Sequence, residues 1–165
     1  RARAMGRRTA TTARAEVWPA LERLINAVER IYSDRFDGQG VVIDLAGNRT
    51  AVFRGERQDL EEMAGNLIDN AAKYGGGRVF VTVEAGRGTV SIIVEDDGAG
   101  IPEKMRETMF ERGSRLDTGK PGTGLGLAIV RDVAEIYGGG VSLSESEDLG
   151  GLMVRLTLPA SETAV

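Results

Sequence analysis

The chain has 165 residues, 41% of them apolar and 28% charged, and a formal net charge of -4. That is enough for one domain around one packed core, and the acidic balance argues against nucleic acid as a partner. The sequence holds no cysteine and no histidine, which excludes disulfides, thiolate chemistry and any imidazole base, ligand or acceptor.

Residues 1–14 carry Arg1, Arg3, Arg7, Arg8 and Arg14 and no acid, a basic arm expected to be solvated. No signal peptide and no bilayer-length apolar run is visible. The first residue is not methionine, so the sequence reads as a piece of a longer protein, with its domain at 15–160 and a disordered tail at 161–165. Residues 16–33 have the period of an amphipathic helix, with Val17, Leu21, Leu24, Ile25, Val28 and Ile31 on one stripe. Val41–Leu45 and Thr50–Phe53 alternate on either side of Gly47-Asn48 and predict a hairpin. A second helix is expected at 57–74, closed by Gly75-Gly76-Gly77 with a left-handed cap. Val79, Val81 and Val83, then Val90, Ile92 and Val94, alternate around Gly86-Arg87-Gly88 as a second hairpin. A short helix fits 103–110, a loop 111–123, and a third long helix Leu125–Tyr137, with Leu127, Val130, Ala134 and Tyr137 on one face. Strands at 141–146 and 151–158 follow. Hairpins interspersed with helices predict a two-layer α/β sandwich of the α+β kind, with helices on one face of a mixed, largely antiparallel sheet.

Three motifs carry chemistry. On the second helix, Asn66, Asn70 and Lys73 fall within about 60° of one another, beside the apolar arc of Leu60, Met63, Ala64, Leu67, Ile68 and Ala71. Amide oxygens suit magnesium, and a lysine suits phosphate oxygens; a solvated helix face fits the stripe as well. Asp97 closes a strand and precedes Gly98-Ala99-Gly100-Ile101. Its carboxylate can accept from an exocyclic amine, the glycines allow close backbone approach and Ile101 can cover a ring, although Asp-Gly is also a common turn. Gly122-Thr123-Gly124-Leu125-Gly126 opens the third helix, where N–H groups and the positive helix end can meet an anion. It fits neither a dinucleotide fingerprint nor a Walker loop, and a packing-driven glycine run is the other reading.

Taken in order, these motifs resemble those of sensor histidine kinases over about Val17 to Pro159. Asn66-Leu-Ile-Asp-Asn70-Ala-Ala-Lys73-Tyr74 is similar to their N box, Asp97-Gly98-Ala99-Gly100-Ile101 to the G1 box, Phe110 to the F box and Gly122–Gly126 to the G2 box. Arg115-Leu-Asp-Thr-Gly-Lys120-Pro-Gly resembles the PhoQ-like members. The resemblance implies a Bergerat-type (GHKL) ATP-binding sandwich, the catalytic domain of a two-component kinase. It implies that Asn66 and Asn70 serve Mg2+, Lys73 the phosphates and Asp97 the adenine amine of ATP. Tyr74 would lie against adenine, Ile101 and Leu127 would line the pocket with Gly100, and Arg115 and Lys120 would reach the phosphates from the ATP lid. Gly122, Thr123, Gly124, Leu125 and Gly126 would close the backbone on the phosphates.

Related hydrolases of this fold place a glutamate four residues before the magnesium asparagine. Asn66 stands there, which favours phosphoryl transfer over hydrolysis; Glu62, one turn earlier on the same stripe, is the minor alternative base. The acceptor histidine and its helical hairpin lie outside this sequence; Arg1–Thr12 is either the end of that hairpin or a cloning remnant. The expectation is thus a cytoplasmic kinase domain, monomeric as a fragment, that phosphorylates a histidine on a separate dimerisation domain of a homodimeric inner-membrane sensor. A response regulator would be its indirect partner. Two readings stay open beside it: a nucleotide-sensing module without transfer chemistry, and a serine kinase of the anti-sigma type.

Overall fold

Residues 12–111 and 126–161 are described by a computed structural model. In chain order they form β1 (Ala15–Glu16), α1 (Val17–Ile31), β2 (Val42–Gly47), β3 (Val52–Phe53), α2 (Arg57–Tyr74), β4 (Arg78–Ala85) and β5 (Thr89–Asp96). Two 3-10 turns (Glu103–Met105 and Thr108–Phe110), α3 (Leu127–Ile136), β6 (Gly140–Glu145) and β7 (Leu152–Ser161) complete the order. The strands join in one sheet in the order β1-β3-β7-β5-β4-β2, with β6 also paired to β7. Only β2 and β4 run parallel; every other pair is antiparallel. The three helices cover one face, which is the two-layer arrangement expected from the sequence.

Alternation along the strands decides that face. Val79, Val81 and Val83 of β4, Val90, Ile92 and Val94 of β5, and Val154, Leu156 and Leu158 of β7 are all buried. They meet Leu60, Met63, Ala64, Leu67, Ile68 and Ala71 of α2 and Leu127, Val130 and Ala134 of α3 in one core. Each large side chain so buried contributes about 1.5–3 kcal/mol. Val17, Leu21, Ile25 and Val28 of α1 join this core, whereas Ile31, the last residue of that helix, is 69% exposed.

Three sequence expectations change. The hairpin expected around Gly47-Asn48 does not form: β2 pairs with β4 at one edge of the sheet, while β3 pairs with β1 and β7 at the other. Gly47 is the last residue of β2 with φ +111, and a Cβ on it would lie 2.2 Å from the Val83 carbonyl oxygen. The glycine therefore serves close parallel pairing, not a two-residue turn. The left-handed cap expected after α2 is also absent, because Gly75 is extended with φ -85. Glycine is needed there for proximity: a Cβ would come within 2.6 Å of the Ala71 oxygen and 3.0 Å of the Asp96 Cβ. The expected tail begins inside the sheet, since Ser161 pairs with Val52. Residues 1–11 lie outside the described residues, and so do 162–165.

Candidate nucleotide-binding site

The helical layer and the sheet leave a cleft of about 460 Å3 between α2, the ends of β5 and β7, and the start of α3. Its walls are mostly apolar: Leu67 and Ala71 from α2, Val94 from β5, Val154 from β7, with Ile101 and Leu127. Tyr74 and Asn70 of α2, Gly100, Asp96 and Leu152 complete it. A narrow apolar slot with one carboxylate suits a flat heterocycle that carries an amine.

Asp96, not Asp97, is that carboxylate. The period of two along β5 puts position 96 on the same face as Val90, Ile92 and Val94, and Asp96 is only 7% exposed. Its Oδ1 accepts from the Gly98 N–H at 2.9 Å and the Leu152 N–H at 3.2 Å. Its carbonyl oxygen accepts from the Gly151 N–H at 3.1 Å. The other carboxylate oxygen accepts no hydrogen bond among the described residues. Burial pushes the Asp96 carboxyl above its ordinary range, the two N–H donors pull it back in part, and neighbouring Asp97 adds to the rise. Gly98 and Gly151 are required for this fit: a Cβ on Gly98 would meet the Tyr74 oxygen at 2.8 Å, and one on Gly151 would meet Asp96 Oδ1 at 2.3 Å.

Asp97 is engaged elsewhere. Its Oδ1 accepts from the N–H groups of Gly76 at 2.8 Å and Arg78 at 3.1 Å, which ties the turn after α2 to the turn after β5. It does not line the cleft. The signal that separates the two acids was present in the sequence: the parity of Val90, Ile92 and Val94 continues to 96.

Asn66, Asn70 and Lys73 all stand on α2, and of the three only Asn70 lines the cleft. Asn66, Asn70, Lys73 and Tyr74 are each part-buried; Asn70 and Tyr74 line the cleft, and the Lys73 ammonium lies 5.5 Å from the Tyr74 ring centroid. Asn66 is set against the start of α3, where a Cβ on Gly126 would come within 2.8 Å of the Asn66 amide nitrogen. Gly126 itself is left-handed, with φ 66, and no side chain caps α3. The first turn of that helix thus begins beside Asn66 with no side-chain cap among the described residues. Arg115, Lys120, Gly122, Thr123, Gly124 and Leu125 lie outside the described residues, whereas Gly100, Ile101 and Leu127 reach the cleft. Among the described residues there is no group of three or more acidic side chains that could hold a metal.

A two-layer sandwich with a buried acid in an apolar cleft fits the nucleotide-binding class of this fold. A family model described as histidine kinase-, DNA gyrase B- and HSP90-like ATPase matches residues 55–162. The sensor protein kinase CarS of Pseudomonas aeruginosa is 49% identical over 108 residues, 66% of this chain and 24% of that protein. The sensor protein PhoQ of Escherichia coli K12 is 38% identical over 148 residues, 90% of this chain and 29% of that protein. The ATP-binding domain of PrrB from Mycobacterium tuberculosis superposes with a TM-score of 0.74 at 32% identity, covering 91% of this chain and 98% of that one. The chain belongs to the histidine kinase-, DNA gyrase B- and HSP90-like ATPase family, as an ATP-binding catalytic domain of the sensor histidine kinase type. It spans less than a third of the length of CarS or PhoQ.

Proposed function

We propose that this chain binds Mg-ATP in the cleft and donates the γ-phosphoryl group to a histidine on a separate dimerisation domain. The observation that carries the reading is Asp96, a buried carboxylate with one oxygen held by backbone N–H groups and the other open, in an apolar slot beside an amide and lysine stripe. The open oxygen is the acceptor for the adenine amine, Ile101 and Tyr74 flank the ring, and Asn66, Asn70 and Lys73 stand where the phosphates leave the slot. Bound magnesium would neutralise phosphate charge, with Asn66 and Asn70 as its protein ligands. The protein's own contribution is positioning: the slot fixes the base, the stripe and the start of α3 fix the phosphates. The amide Asn66, where hydrolases of this fold carry a glutamate, leaves water without a base at that position.

The whole protein, on this reading, is a homodimeric membrane sensor whose kinase domain lies in the cytoplasm and whose phosphohistidine serves a response regulator. No described helix is long and apolar enough to cross a membrane, so a membrane anchor would belong to other parts of the full-length protein. Titration calorimetry with ATP and magnesium tests the site. The expected result is saturable binding that weakens at least tenfold in Asp96→Asn and in Asn70→Ala; unchanged affinity in both variants would remove the site assignment.

A further inference from the structure

At the end of the helix pair remote from the stripe, a buried acid and a buried phenol meet. Asp59, in the first turn of α2, is fully buried, and Tyr137, directly after α3, is 6% exposed. The Tyr137 hydroxyl donates to Asp59 Oδ2 and accepts from the Glu56 N–H at 3.2 Å. Its ring packs edge-on against Phe53, with centroids 4.9 Å apart. Gly55 makes the room: a Cβ there would meet Phe53 Cζ at 2.3 Å and Tyr137 Cε1 at 2.5 Å. Burying a carboxylate is costly, and a phenylalanine would give the same ring packing without a polar partner. What the pair adds to that packing is direction and register.

We infer that the Asp59–Tyr137 pair is a positioning device for the nucleotide site, holding α3 in register on α2 so that its start stays seated against Asn66. The helices run antiparallel, since Asp59 meets the end of α3 while Asn66 meets Gly126 at its beginning. From Tyr137 back to Gly126 the helix spans about 16 Å, so a tilt of about 10° at the tether displaces its start by about 3 Å. Such a shift separates Gly126 and Leu127 from Asn66 and from the cleft, although neither Asp59 nor Tyr137 touches it. The inference rests on the proposed Mg-ATP site.

Tyr137→Phe removes only the hydroxyl. Its affinity for Mg-ADP is compared by calorimetry with that of the wild type and of Val28→Ala, an α1 core variant distant from the tether, all well below their unfolding midpoints. The expected result is an affinity about fivefold weaker in Tyr137→Phe, with Val28→Ala at the wild-type value even where its melting temperature falls further. A Tyr137→Phe affinity equal to the wild type, or a loss in both variants that follows their melting temperatures, would overturn the positioning role. Failure of the wild type to bind Mg-ADP would instead overturn the site itself. Should Tyr137→Phe not fold, Asp59→Asn, which keeps an acceptor oxygen for the hydroxyl, is compared with Asp59→Leu, which does not. A weaker affinity confined to the leucine variant supports the tether, and equal affinities contradict it.

Discussion

Two adjacent aspartates divide the labour at the end of β5. Asp96 faces the cleft and Asp97 braces the turns around it. Because the fold raises the Asp96 carboxyl above its unfolded value, its contribution to stability is complete below the ordinary carboxylate range and is lost as pH rises through the raised value. Above the ordinary carboxylate range the free domain therefore bears the cost of burying this acid. Asp96→Asn, which keeps the oxygen facing Gly98 and Leu152, is expected to raise the melting temperature of the ligand-free domain while ATP affinity falls at least tenfold. Asp97→Ala should do the reverse, losing about 1–3 kcal/mol of stability with its two N–H contacts while the folded fraction, with Asp96 intact, keeps its ATP affinity. A thermal melt and a binding isotherm on each variant check both. In the wild type, ATP affinity should also weaken on acidification, as Asp96 takes up a proton and its charge-assisted acceptor is lost. The motif is legible in the sequence and so is its register, but two signals compete: the Asp-Gly turn favours Asp97, and the parity of Val90, Ile92 and Val94 favours Asp96.

At the scale of elements, helices were the more legible part, since α1, α2 and α3 each bury a continuous apolar stripe that a 3.6-residue period exposes. Strand pairing was less so. Gly47-Asn48 has the composition of a hairpin turn, and no local pattern says that β2 will pair in parallel with a strand more than thirty residues on. Gly47→Ala separates the two geometries: a Cβ 2.2 Å from the Val83 oxygen at φ +111 should destabilise the domain by about 2 kcal/mol or more, measured by urea denaturation, whereas a hairpin turn would tolerate it better. The loop after α1 is strapped to α2 by side chains that no periodicity reveals. Tyr32 donates to Asp69 Oδ1 at 2.8 Å, and Arg35 Nη1 reaches the carbonyls of Ala72 and Lys73 at the helix end, at 2.6 and 2.9 Å. Burial, then the Asp69 hydrogen bond, push the Tyr32 phenol up to about 12. Its stabilising contribution is thus whole below the unfolded value of 10.0 and lost as pH rises through about 12. Tyr32→Phe should flatten that alkaline loss, which a series of melts across this range would record.

For the whole molecule, the sandwich sets Asp96 at the end of a strand, the asparagines on one helix and Gly126 at the start of another, all braced by one core. The order of the motifs along the chain was enough to read the class of the domain. The contacts that hold the helices in relation to one another, Tyr137 on Asp59 above all, join residues 78 positions apart and come into view only in the folded chain. No histidine occurs in the sequence, so the proposed transfer needs an acceptor on another domain. Incubation with γ-labelled ATP, magnesium and the histidine-bearing hairpin of the full-length kinase is the most direct measurement. The account predicts acid-labile label on the hairpin, dependent on Asp96 and Asn70 of this chain; saturable ATP binding with no such label would contradict it.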